Sequence, residues 1–244
     1  MAVKSKKNKY VDSNGKSLPG VTTILQTLNK PALLQWAWDL GMKGIDFRKV
    51  RDTRAGIGTL AHDMIECELL GKESVIDTDK YSVEDIEIAL KCKKHFDDWR
   101  AKQKDFEIIE VELVMSSDTL GFGGTCDLYY RCGKKYILMD FKTSKSCYDE
   151  HKAQQSAYKL LLEEKGHRVD EIKLFQINEA KTGIVNIPST LIPLYTELFM
   201  GAFKAYKAIR ALDIVLDRTK SKTSKFKKKA IDKTCKPYLK AVKL

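Results

Sequence analysis

Residues 121–143, GFGGTCDLYYRCGKKYILMDFKT, constrain the fold more than any other stretch of this 244-residue chain. They read as two strands, and Cys132-Gly133-Lys134-Lys135 between them suits a two-residue hairpin turn with Gly133-Lys134 at its centre. That turn sets a register in which Asp127 faces Asp140. Opposed residues have Cβ atoms about 5 Å apart, and like charges so placed destabilise a sheet. Lys142, two residues beyond Asp140, points to the same face. Leu128, Tyr130, Ile137, Met139 and Phe141 fall on the other, a surface ready for a core. Two carboxylates and an ammonium on one face call for an ion or an anionic substrate. The register carries this argument, because a slip of one residue would separate the aspartates. A D-x-K tripeptide alone says little, since aspartates near strand ends and lysines on solvated faces are common.

The rest of the chain supplies helices around this hairpin. Residues 1–17 are polar and Lys-rich; DSNGKS (12–17) has the end of a phosphate-loop pattern, but Tyr10 stands where its first glycine belongs, so a turn between short strands is expected. LPGVTTILQTLNKPALLQWAWDLG reads as two short helices, the first starting at Thr22 or Thr23, the second with Pro31 near its first turn. Trp36 and Trp38 are expected as core or lid aromatics. A glycine-flexible basic stretch (Arg48, Lys49, Arg51, Arg54) precedes a helix over 56–70, on which His62 and Glu66 share a face. The period predicts an amphipathic helix over 83–103 that buries Val83, Ile86, Ala89, Leu90, Phe96 and Trp99. A strand with Ile109, Val111, Leu113 and Met115 on one face, and Glu110 and Glu112 on the other, leads into the hairpin. After it come a helix over 150–166 with Gln154 and Tyr158 four apart, strands at 171–178 and 183–187, and a helix over about 190–214. The order implies an α/β (α+β) fold, divided as an N-terminal helical extension (1–55), a core (56–215) and a basic tail (216–244).

Composition excludes several classes. Apolar residues make up 43% and aromatics 9%, enough for a real core. No apolar run approaches the ~20 residues that cross a bilayer. MAVKSKKNKY has no apolar h-region, so the expectation is a cytoplasmic protein with reduced thiols. The cysteines at 67, 92, 126, 132, 147 and 235 form no CxxC pair, and the histidines at 62, 95, 151 and 167 have no zinc-ligand spacing. An iron–sulfur cluster needs clustered cysteines, and none is expected. The net charge is +11, of which +10 lies between Arg218 and Leu244. Such a tail suits sequence-independent binding to nucleic-acid phosphates, with a solubilising segment as the alternative.

Five short patterns occur in order: Gly58, Thr59, His62 and Glu66 as G-T-x-x-H-x-x-x-E; a strand glutamate, Glu112; Gly124 and Asp127 as G-x-x-D; Asp140 and Lys142 as D-x-K; Gln154 and Tyr158 as Q-x-x-x-Y. Together they resemble the PD-(D/E)XK nuclease superfamily in its RecB-like exonuclease branch, over roughly residues 56–160. The LPGVTTIL segment is similar to phage-encoded members and to the mitochondrial genome-maintenance exonuclease, and a phage or bacterial source fits. The resemblance implies a restriction-endonuclease-like core with helices flanking a mixed sheet, and helical additions at both ends.

It also implies a site. His62, Asp127 and Asp140 would ligate a divalent metal, with the Phe141 carbonyl as a further ligand; Mg²⁺ suits oxygen donors, and one imidazole admits Mn²⁺. Lys142 would orient or deprotonate the attacking water, and Gln154 and Tyr158 would position the DNA backbone or the D-x-K strand. Glu112 and Glu66 would serve a second metal or support His62. Arg54, Gln154, Tyr158, Lys227, Lys228 and Lys229 are the candidate DNA contacts. The activity implied is that of a metal-dependent deoxyribonuclease in replication, recombination or repair. An exonuclease on DNA ends with single strands favoured comes first, and a recombination or replication protein is a possible further partner. A structure-selective endonuclease of the same fold, a catalytically idle DNA-binding accessory protein and a non-nuclease globular protein are the alternatives.

Overall fold

The computed structural model describes residues 10–178 and 182–220. Six helices and five strands lie among them: α1 (Val21–Leu25), α2 (Pro31–Met42), α3 (Phe47–Leu69), α4 (Val83–Arg100), β1 (Phe106–Ser117), β2 (Phe122–Cys132), β3 (Lys135–Lys142), α5 (Asp149–Glu164), β4 (Glu171–Ile177), β5 (Thr182–Ile187) and α6 (Ile192–Lys220). The strands form one open mixed sheet in the order β1-β2-β3-β4-β5. β1, β2 and β3 are antiparallel, α5 carries the chain across so that β4 runs parallel to β3, and β5 returns antiparallel. The class is therefore α/β. The chain divides into two compact units, Met1–Phe199 and Met200–Leu244. All strands and α1–α5 belong to the first; the described part of the second is the later portion of α6.

The hairpin has the register its turn dictates. Gly133 takes φ +59°, a conformation that a side chain would strain, and pairs run from Cys132–Lys135 to Leu128–Met139. Leu128, Tyr130, Ile137, Met139 and Phe141 join one core with Leu60, Ala61, Met64 and Ile65 of α3, and with Ala89, Cys92 and Phe96 of α4. Tyr129, Leu138, Ile172 and Leu174 alternate with them and are just as buried. The opposite face is thus covered too, and α5 packs against β1–β4. A parallel pair with helices on both faces is buried on both.

Several elements depart from the periodicity. α3 begins at Phe47, capped by the Asp46 carboxylate on the Arg48 amide, so the basic stretch forms the first turns of the helix. α4 buries Ala89, Cys92 and Phe96, a narrower stripe that leaves Val83 and Leu90 exposed and Ile86 and Trp99 half-buried. In β1 a bulge between Ile108 and Glu110 takes Ile109 out of the ladder, and of its four expected core residues only Met115 is buried. α2 starts at Pro31 as expected but buries nothing; Trp38 is 65% exposed and is not a core residue. Trp36 is half-buried against the edge of Phe47, 5.0 Å between centroids. The Lys-rich N-terminal segment is described from Tyr10, where Val11 and Ser17 bridge around the Asp12 turn.

Candidate active site

Asp127 and Asp140 lie one step beyond the last hairpin pair, Leu128–Met139. On the other side of β2, the pairs Val111–Leu128 and Leu113–Cys126 bracket Glu112 opposite Asp127. Register therefore sets Glu112, Asp127 and Asp140 in a row across β1, β2 and β3. Two local features accompany the row. The Asp127 carboxylate accepts the Phe141 amide at 2.9 Å, closing the next rung of the ladder with a side chain. Glu112 has φ +51°, strained for a residue with a Cβ, and is half-buried.

Asp140 is 1% exposed. Its Oδ1 accepts from Gln155 Nε2 at 2.8 Å, and its Oδ2 lies 2.5 Å from Lys142 Nζ. Oδ2 accepts no hydrogen bond of good geometry among the described residues. Burial raises the Asp140 pKa and Asp127 raises it further, while Lys142 and His62 pull it down. Burial works against the charge on Lys142, yet Asp140 and Asp127 outweigh it and hold its pKa above the ordinary lysine value. Lys142 Nζ donates to Gln154 Oε1 at 3.1 Å, and Gln154 Nε2 donates to the Tyr158 hydroxyl at 2.8 Å. Burial keeps that phenol protonated, far above its usual range.

The motif glycines answer to the same packing. A Cβ on Gly124 would enter the Tyr158 ring, and one on Gly58 would lie 2.8 Å from Thr143 Oγ1. Those two contacts let α5 and α3 close on the strands that carry the aspartates. α3 brings His62 to Asp127, Nδ1 to Oδ2 3.6 Å, and sets its ring edge-on to Phe141. Glu66, one turn on, makes no hydrogen bond or ion pair with His62. Arg54 is on α3 about 12 Å before His62 along the axis, its guanidinium 5.1 Å over the Trp36 ring. Lys227, Lys228 and Lys229 lie outside the described residues.

Carboxylate and imidazole donors suit Mg²⁺ or Mn²⁺ in kind, and the buried Oδ2 of Asp140, which accepts no hydrogen bond of good geometry, already has a positive partner in the Lys142 ammonium 2.5 Å away. Among the described residues, however, no three His, Cys, Asp or Glu side chains stand together as a ready metal cluster. A shallow pocket lined by Leu60, Met64, Val75 and Tyr81 contains none of the candidate residues.

Two neighbours escaped the sequence patterns. Gln155, not Gln154, reaches Asp140; only the rotation of α5 tells the two adjacent glutamines apart. His151 accepts the Tyr148 amide at 3.3 Å, and burial, with Lys142 nearby, pushes its pKa down to about 4. Nothing in a lone helical histidine signals that. Among the described residues no helix is long and apolar enough to cross a membrane.

No family model and no curated protein matches the chain. Among solved structures it is similar to one described as "Crystal structure of SSO0001", at 16% identity over 82% of this chain and 78% of that one, with a TM-score of 0.33.

Proposed function

We propose that the protein is a metal-dependent deoxyribonuclease of the PD-(D/E)XK type, an exonuclease acting on DNA ends in the cytoplasm, with single strands favoured. The observation that carries this reading is the row Glu112–Asp127–Asp140 across three strands, with the ammonium of Lys142 against its buried end. A structural role alone gives little reason to gather like charges there, since opposed carboxylates weaken a sheet.

A bound Mg²⁺ or Mn²⁺ supplies Lewis acidity and a water of lowered pKa. Asp140 Oδ2, Asp127 and His62 are the residues that would hold it. The Lys142 ammonium, against Asp140 Oδ2 and donating to Gln154 Oε1, serves as a donor that offsets negative charge on the phosphate. Gln154 anchors that ammonium, and Tyr158, buried and protonated, anchors Gln154.

The test is cleavage of an end-labelled linear single strand beside a circular one, with Mg²⁺, Mn²⁺ or EDTA. Metal-dependent loss of the linear strand alone is expected, abolished in Asp140→Ala. Lys142→Met is expected to slow the reaction about 10²–10³-fold, the range for removing one preorganised donor. Cutting of the circle would indicate an endonuclease, and undiminished cleavage by Asp140→Ala would remove the assignment.

A further inference from the structure

We infer that Gln155 is a positioning residue of this site: its amide holds one oxygen of Asp140 so that the other faces a divalent cation. The inference rests on the nuclease reading above. Gln155 is 0% exposed, and its Nε2 donates to Asp140 Oδ1 at 2.8 Å. Its own Oε1 is buried without a hydrogen bond, as is Asp140 Oδ2, and these are the two such side-chain atoms among the described residues.

An unpaired buried acceptor is destabilising, because it has given up its hydrogen bonds to water. The bland account, a polar residue filling the core, does not explain why position 155 carries that cost while Ala153, Ala157, Leu161 and Leu162 of the same helix are apolar. The amide stands there for the N–H it gives Asp140. A carboxylate rotates softly about its last torsion, and a donor fixed on Oδ1 removes that freedom. Oδ2 is then held against the Lys142 ammonium, its ion-pair partner at 2.5 Å, and a cation bound by Asp140 would share that oxygen with Lys142. Partners of this kind fix the orientation of metal-binding groups, and losing one costs roughly 10–100-fold in metal affinity.

The experiment measures Mn²⁺ binding to the full chain without DNA, by calorimetry or by the Mn²⁺ resonance signal. It compares wild type, Gln155→Leu and Asp140→Ala, with melting temperatures in EDTA as the control on folding. Gln155→Leu is expected to melt close to wild type, since it removes one unpaired acceptor and creates another. Its Mn²⁺ dissociation constant is expected to rise about tenfold or more. The Mn²⁺ concentration giving half-maximal cleavage should rise in step, while kcat at saturating Mn²⁺ stays within about threefold. Gln155→Met takes its place if the leucine variant does not fold. Mn²⁺ binding that Asp140→Ala loses and folded Gln155→Leu or Gln155→Met keeps unchanged overturns the positioning role and leaves the nuclease reading intact. A wild type that binds no Mn²⁺, or binds it as well without Asp140, overturns both.

Discussion

At Asp140 on β3 and His151 on α5 two titrations oppose each other. Burial, with Asp127, raises Asp140 from 3.8 to about 6. The folded state keeps a proton there that the unfolded chain has lost, so this contribution is full below pH 3.8 and is lost as the pH rises to about 6. Burial, with Lys142, lowers His151 from 6.5 to about 4. Its contribution runs the other way, present above pH 6.5 and lost as the pH falls to about 4. In EDTA the two slopes offset between pH 4 and 6. Chemical denaturation across that window should find Asp140→Asn gaining stability with rising pH relative to wild type, and His151→Gln losing it. Equal slopes in all three proteins would mean that neither group is perturbed. The hairpin turn made the facing of Asp127 and Asp140 readable from the chain, because Gly133 sets the register. The Gln155 and His151 environments were not readable, because both come from how α5 is rotated on the sheet.

Helix α3 illustrates what one element must reconcile. Gly58 lies in its interior, where alanine is worth about 1 kcal/mol more than glycine, yet a Cβ there would stand 2.8 Å from Thr143 Oγ1. Gly58→Ala is therefore expected to destabilise the wild-type chain and to stabilise a Thr143→Ala background by about 1 kcal/mol. Thermal melts of the two single variants and the double variant close the cycle, and a gain in both backgrounds would remove the packing account. The G-T-x-x-H pattern marked this position, but the contact that requires glycine comes from the strand end after Lys142 and has no local signal. The same limit applies elsewhere. Apolar period placed α4 and β1 correctly along the chain, while the bulge at Ile109 and the narrow stripe Ala89–Cys92–Phe96 depend on partners distant in sequence. α2 has an apolar composition without a covered face, and composition alone could not tell that Trp38 stays exposed.

Over the whole molecule the charge is nearly all at one end, +10 of +11 beyond residue 217. The order of the elements followed from pattern because each long element has its own period. The charge asymmetry has no such structural reading, since all of its lysines but Lys220 lie outside the described residues. It is argued instead from counterion release. Each phosphate neutralised on a single strand contributes about 0.7 to the slope of log K against log salt. If Lys227, Lys228 and Lys229 contact phosphates, replacing all three by glutamine should flatten the slope by about 2, with affinity lost most at low salt. Binding of labelled oligonucleotide to an Asp140→Ala background in EDTA keeps cleavage out of the measurement. An unchanged slope would assign the tail to solubility, and the strand would then be held by the site and by residues such as Arg54.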